Sequence, residues 1–439
     1  MNGKEVIATQ LEAARARSLD VVEPLSDADL VRQHSKLMSP LVWDLAHVGN
    51  YEDQWLVRAL GAPGFWSDLD GIYDAFRHPR ANRPSLPLLA PAEARSYVAE
   101  VRGRALDVLA EVELDPARPL LAGAFVYHMV VQHEHMHDET MLATLQLMEE
   151  PGYRTVAAPL PVGAPPVHDE VLIDGGAFLM GTNLMGTDAD PRALDNERPA
   201  HQVALAPYFI DTAPVTNGAY AEFVEAGGYG ERRWWDEEGW AWRQEASLGQ
   251  PQFWTRQGPS SWSRRRFGSN EDLPVDEPVQ HVCWHEAAAY ARWRGKRLPT
   301  EAEWEKAASW DPSTGRKRRY PWGDDEPTAT RANLGQGHLR PAHLGPAPVG
   351  AYPDGASAYG CHQMVGDVWE WTSSDLDPYP GFRSFPYPEY SEVFFGAGYK
   401  VLRGGSWATH PSVARTTFRN WDLAIRRQIF CGFRCARDV

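Results

Sequence analysis

The stretch Gln132-His133-Glu134-His135-Met136-His137-Asp138-Glu139 lies within a longer run, 119–148, whose apolar residues recur at three- and four-residue spacings. That periodicity predicts a helix, and the side chains it displays decide the architecture around it. His133 and His137 are four apart, so on a helix they project from one face and can bind one metal ion. His135 stands about 200° round from His133 and points away, whereas Met136 is only about 60° off and flanks the pair. Two helical ligands do not complete a site, so a facing helix must supply another. The best candidate is His47, inside the apolar stretch Trp43-Asp44-Leu45-Ala46-His47-Val48-Gly49-Asn50-Tyr51. Bundles build metal sites from facing helices in this way.

Working outward, the same periodicity recurs near 6–22, 40–60 and 91–112, which predicts a four-helix bundle over residues 1–150. Ser39-Pro40 reads as a helix opening, with Ser as N-cap and Pro at the first helical position. The 61–90 connection is too long for a turn and reads as functional. Residues 151–169 are Pro-rich and aperiodic, a linker. From 170 to 439 the pattern changes to short apolar runs broken by Gly-Gly, Pro-Asp-Gly and Gly-Asp, with two or three brief helices. One is expected over 284–294, and a second opens with the capping-box pair Thr300 and Glu303. The stretches 225–280 and 311–400 read as irregular. The basic cluster Arg316-Lys317-Arg318-Arg319 reads as a solvated loop in an acidic chain.

Composition narrows the function. A length of 439 residues predicts two or three domains, and 43% hydrophobic with 23% charged residues is ordinary globular material. Lys plus Arg number 43 against 59 Asp plus Glu, a formal net charge of −16. That balance argues against binding nucleic acid or an anionic membrane surface. The sequence shows neither an apolar run of the roughly 18 residues a membrane span needs nor the apolar core of a signal peptide near Met1. Cys283, Cys361, Cys431 and Cys435 form no C-x-x-C pair, so a disulfide framework is not expected and a reducing cytoplasm is. Most of the 18 Trp residues fall between Trp234 and Trp421, marking an irregular, aromatic-stapled second domain.

From residue chemistry alone the histidines admit two readings. The string His133-Glu134-His135-Met136-His137 also fits H-E-x-x-H, with Glu134 as a protease base, but nothing after Glu150 resembles the further ligand such sites use. Three histidines with no carboxylate leave open positions on the metal. They suit zinc hydrolysis or a ferrous site that takes substrate and dioxygen, and the pattern does not choose between them.

Longer motifs add a resemblance. The N-terminal part, with Asp44-Leu45-Ala46-His47 and His133-x-x-x-His137-Asp138-Glu139-Thr140-Met141, resembles a DinB-like metal-binding bundle. The C-terminal part resembles the formylglycine-generating-enzyme type of C-type-lectin fold. Its marks are Asp174-Gly175-Gly176-Ala177-Phe178, Pro214-Val215-Thr216-Asn217, Arg297-Leu298-Pro299-Thr300-Glu301, Gly366-Asp367-Val368-Trp369-Glu370-Trp371 and Arg403-Gly404-Gly405-Ser406-Trp407. Together with Asp195-Asn196-Glu197-Arg198-Pro199-Ala200-His201 and Phe418-Arg419-Asn420-Trp421-Asp422, the chain resembles the sulfoxide synthases of ergothioneine biosynthesis. The copper-binding cysteines of formylglycine-generating enzymes are replaced here by Thr409 and Ala414, so that copper chemistry is lost.

The resemblance implies an iron-dependent oxidoreductase that uses dioxygen to join a thiol to Nα-trimethylhistidine. His47, His133 and His137 would hold Fe(II). Tyr379 would supply a proton or electron near the iron, and Asn420 and Trp421 would hold the trimethylhistidine, an indole face attracting its quaternary ammonium. Arg80, Arg83 and Asp422 would clamp γ-glutamylcysteine, whose two carboxylates and one ammonium they complement. Where the family has a glutamine contacting the substrate imidazole, this chain has Met136, which cannot donate a strong hydrogen bond. The resemblance further implies a monomer acting on small molecules in a cleft between the two domains. Free cysteine is the alternative thiol, and a zinc-dependent thiol transferase or hydrolase the alternative enzyme.

Overall fold

Helix α1, Gly3–Val22, buries Ile7, Leu11, Ala14, Ser18 and Val21, a stripe at alternating four- and three-residue steps that needs partners on one side only. Helix α2, Leu41–Glu52, is buried all round and continues into a π-helical turn, Asp53–Arg58. Helix α3, Pro91–Glu111, begins on a proline, and Glu93 accepts the Ala90 backbone N–H at 2.8 Å. Helix α4, Phe125–Leu147, follows two left-handed residues, Gly123 and Ala124, that turn the chain into it. These four pack as the expected bundle, α2 and α4 each against two neighbours. Gly49 makes one crossing possible, because a Cβ there would lie 2.8 Å from Val98 on α3.

The computed structural model describes residues 3–64, 66–152, 160–164, 169–186, 189–335 and 344–439. They divide into two compact units, 3–152 and 160–439. Most of the linker expected over 151–169 lies outside the described residues. Among the described residues no helix is long and apolar enough to cross a membrane.

In the first unit one expectation is corrected. Ser39 does not cap α2: Pro40 holds the N-cap position, and the Ser39 hydroxyl instead accepts from Arg83 at 2.6 Å. The long 61–90 connection carries short helical turns at Ser67–Leu69, Asp70–Tyr73 and Arg80–Ser85.

The second unit is built of small sheets held by connecting loops. Glu170–Ile173, Tyr208–Asp211 and Ala436–Asp438 form one antiparallel sheet, so the end of the chain pairs beside the start of the unit. Asn420–Leu423, Tyr399–Arg403, Trp369–Asp375 and Cys431–Gly432 form another, its last pair parallel. Helices Trp284–Trp293 and Glu301–Ser309 appear where expected, and Thr300 and Glu303 make the reciprocal capping bonds. Two further helices, Asn217–Glu225 and Glu237–Glu245, exceed the two or three expected. The 225–280 stretch is less irregular than its composition suggests, since Trp254–Gly258, Ser261–Arg266 and Ser269–Asp272 form a three-stranded sheet.

The basic cluster is also corrected. Arg316–Lys317 is a strand paired with Trp310–Asp311. Lys317 ion-pairs with Glu305 at 2.5 Å, Arg318 with Asp311 at 2.6 Å and Arg319 with Asp190 at 2.8 Å. Each of these three cations meets a carboxylate, across the short hairpin for Arg318 and from far along the chain for Arg319, which a charge count cannot see. All four cysteines are buried and free.

Candidate metal centre

His47 on α2 and His133 and His137 on α4 converge inside the bundle. The His47 and His133 Nε2 atoms are 3.3 Å apart, and the candidate ligand nitrogens of all three lie within 4.8 Å of one another. The closer separation is within twice the bond length of about 2.1 Å typical of a metal–imidazole bond.

Their orientation is set from behind. His47 Nδ1–H donates to the Tyr73 carbonyl at 2.7 Å, and His137 Nδ1–H donates to Asp44 Oδ1 at 3.0 Å, so each keeps its Nε2 lone pair. Trp43 stacks on the His47 ring at 4.6 Å and Tyr51 on the His133 ring at 3.7 Å. Burial, with the neighbouring imidazoles, pulls His47 and His133 well below the usual histidine range, which keeps them neutral. Neutral imidazoles with fixed tautomers are the form a metal ion needs. The three-nitrogen set without a carboxylate therefore fits a non-haem iron ion, and equally zinc.

Glu134 does not face this cluster. It is 1% exposed and ion-pairs with Arg15 at 2.6 Å and Arg102 at 2.9 Å. Burial would raise its carboxyl, but the two guanidiniums hold it below the ordinary range. An anion bound from two sides does not serve as a protease base, and the H-E-x-x-H reading loses its third element. His135 points away as expected, buried with its Nδ1 3.0 Å from Asp138.

Met136 is half-buried beside the histidine face. Arg80 and Arg83 sit in the turn Arg80–Ser85. Arg80 donates to the Leu37 carbonyl at 3.1 Å. Arg83 is buried over the Trp43 ring at 3.6 Å and donates to His78 O, Ala75 O and Ser39 Oγ, so it also ties its own loop to the start of α2.

In the second unit Tyr379 is buried, its hydroxyl 3.4 Å from Glu301 Oε1 and its ring 4.2 Å below the Arg419 guanidinium. Burial, reinforced by Glu301, raises the phenol well above its ordinary value and keeps it protonated. Asn420, Trp421 and Asp422 lie half-buried on the strand Asn420–Leu423. The Trp421 ring meets Tyr390 at 5.8 Å and Phe394 at 5.4 Å, and Asp422 pairs with Arg426 at 3.4 Å. Thus the three histidines form one group, Arg83 stands over Trp43 beside His47, and Tyr379 and the 420–422 strand belong to the second unit.

Composition and motif give Asp44 and Tyr51 no role of their own. Asp44 precedes His47 by three residues and Tyr51 follows it by four, so both lie on the His47 face of α2, and that spacing was the available signal. The Tyr73 carbonyl left no trace in the sequence, since a backbone atom has no residue type.

Residues 10–141 match the family model of the DinB superfamily, and residues 156–439 match that of the sulfatase-modifying factor enzyme 1-like domain. A hercynine oxygenase of Mycolicibacterium smegmatis is 51% identical over 448 residues, covering 100% of both chains. One from Mycobacterium tuberculosis is 52% identical over 444 residues, again 100% of both. A third, from Mycolicibacterium thermoresistibile, is 53% identical over 441 residues, covering 99% of this chain and 95% of its own.

Proposed function

The chain belongs to the hercynine oxygenase family, and from that premise we propose that it joins the sulfur of γ-glutamylcysteine to the imidazole of Nα-trimethylhistidine, hercynine, in ergothioneine biosynthesis. His47, His133 and His137 would hold Fe(II). The observation that carries this reading is their convergence with two ring tautomers already fixed by Asp44 and Tyr73. Iron bound there supplies the activation of dioxygen and a common template for both substrates.

The protein's own groups do the rest. Tyr379, held as a neutral phenol against Glu301, provides the proton that separates sulfoxide formation from simple thiol oxidation. The Trp421 indole face attracts the trimethylammonium, and Asn420 orients the same substrate by hydrogen bonding. Arg80 and Arg83 receive carboxylates of γ-glutamylcysteine, and Asp422 its ammonium. Met136 lines the histidine face with a thioether, so the hercynine imidazole receives no hydrogen bond from that position. The enzyme works as a cytoplasmic monomer, a setting with which its four buried free cysteines agree.

The test is anaerobic reconstitution with Fe(II), addition of hercynine and γ-glutamylcysteine, and then air, with a zinc-loaded sample in parallel. Mass spectrometry should find the joined product carrying one added oxygen only with iron and air. Thiol consumption with zinc and none with iron would replace the proposal with a transferase. Parallel reactions with free cysteine rank the two thiols. Tyr379→Phe should shift product toward the cysteine sulfinate, and an unchanged product ratio would remove Tyr379 from the chemistry.

A further inference from the structure

Behind the histidines, each of the four long helices contributes one charged residue to a closed ring. Arg15 comes from α1, Glu52 from α2, Arg102 from α3 and Glu134 from α4. Arg15 bonds Glu134 at 2.6 Å and Glu52 at 2.8 Å, and Arg102 bonds Glu52 at 2.5 Å and Glu134 at 2.9 Å. All four are buried, and the two positive and two negative charges cancel. The remaining guanidinium reach is spent on backbone, Arg15 on the Val98 carbonyl and Arg102 on the Leu11 carbonyl.

Two of the four helices tied by this ring carry the metal ligands. Glu134 immediately follows His133 and lies about 100° round α4 from it, so fixing one fixes the direction of the other. Ser18 and Asp138 extend the same anchoring along the back of α4. The Ser18 Oγ lies 3.1 Å from Glu134 and 2.6 Å from Asp138, and Asp138 meets His135 at 3.0 Å. Apolar packing is non-directional and tolerates small rotations of a helix about its axis. A rotation of about 20° would carry a ligand atom about 6 Å from the axis through about 2 Å, enough to lose a metal bond. Forked guanidinium–carboxylate bonds are directional and resist such a rotation.

We infer that Arg15, Glu52, Arg102 and Glu134 are positioning residues whose ring sets the rotation of α2 and α4, and so the convergence of His47, His133 and His137. The inference rests on the reading that these histidines hold a metal, and it adds that their geometry is imposed from the opposite helix faces. Buried ion pairs are seldom needed for stability, since apolar residues of similar size can replace them without loss. The ring is therefore the part of the bundle whose removal should separate folding from metal binding.

The experiment uses the full-length chain and Co(II), whose visible absorption reports ligand geometry. Glu134→Gln keeps the volume and weakens the ring. The fourfold variant Arg15→Met, Glu52→Leu, Arg102→Met, Glu134→Leu replaces it with apolar side chains and leaves no charge unpaired. Both are measured well below their own unfolding temperatures. Co(II) should bind about tenfold or more weakly, with an altered absorption band, while helical circular dichroism stays at the parent level. Parental affinity and band shape in either folded variant would overturn the inference, and Glu134→Gln alone decides it if the fourfold variant does not fold. Failure of the parent itself to bind Co(II) would overturn the metal reading and the inference together, which keeps the two failures distinguishable.

Discussion

Both units bury charge, and they use it differently. In the bundle, Arg15 and Arg102 chiefly link side chains on four helices, each adding a single bond to a helix carbonyl, Val98 O and Leu11 O. In the second unit the buried arginines spend much of their reach on loop carbonyls. Arg434 pairs with Glu370 and donates to Asp211 O, His362 O and Gln363 O. Arg419 pairs with Glu301 and donates to Asn196 O and Asp377 O. Arg415 pairs with Glu197 and donates to Arg192 O. An irregular chain leaves buried carbonyls that no ladder satisfies, and a forked cation paired with one carboxylate is a compact way to meet them. Buried charge thus joins regular elements through their side chains in the first unit and meets the carbonyls of irregular chain in the second.

The largest expected effect tests which unit holds the metal. His137→Ala should abolish metal binding and oxygenase activity while leaving the fold intact, because the side chain is partly open to solvent, 19% exposed, and its loss opens no sealed cavity. Full metal loading of that variant, measured by elemental analysis, would locate the site elsewhere.

Next comes the contrast itself. Arg434→Met leaves the Glu370 carboxylate without its guanidinium and three carbonyls without donors. It should cost about 3–5 kcal/mol in urea unfolding and leave Co(II) binding unchanged. A change in Co(II) affinity would mean that the second unit's arginines also shape the metal centre.

Asp44→Asn removes a charge yet keeps an oxygen acceptor for the His137 Nδ1–H. Metal affinity should fall about 10- to 100-fold, read by competition with a chelator of known strength. An unchanged affinity would reduce Asp44 to a hydrogen-bond acceptor with no electrostatic part.

The smallest effect vanishes at neutral pH. Burial pulls the His281 imidazole down to about 3, aided by Arg264 and Arg427 and opposed by its bond to the Arg427 carbonyl. In the unfolded chain the same group takes its proton near 6.5, so unfolding binds a proton anywhere between these values. Above about pH 6.5 the neutral ring costs nothing; as pH falls from there toward 3 stability is lost, the loss reaching about 2 kcal/mol at pH 5. The difference in unfolding free energy between parent and His281→Gln, read from urea titrations at pH 7 and pH 5, should change by that amount. A pH-independent difference would show that His281 takes up its proton as readily in the folded protein as in the unfolded chain.

Legibility followed the same division. The bundle's long helices, the His133–His137 pair and the Thr300–Glu303 box all rest on spacings of three or four residues, which a helix turns directly into neighbours. The Ser39 cap failed because a longer-range partner, Arg83, claimed that hydroxyl. The 254–272 sheet and the basic strand Arg316–Lys317 escaped because their signals were pairings and partners, and composition carries neither.

What the sequence determined by itself was therefore local: which stretches are helical, which histidines share a face, and that 170–439 follows a different pattern. The tertiary structure alone decided that His47 meets His133, that Asp44 and the Tyr73 carbonyl fix the ring tautomers, and that Arg15 and Arg102 close a ring with Glu52 and Glu134. Side-chain periodicity is a property of one element, whereas a buried charge is stabilised only by the group the folded chain brings to it from far along the sequence.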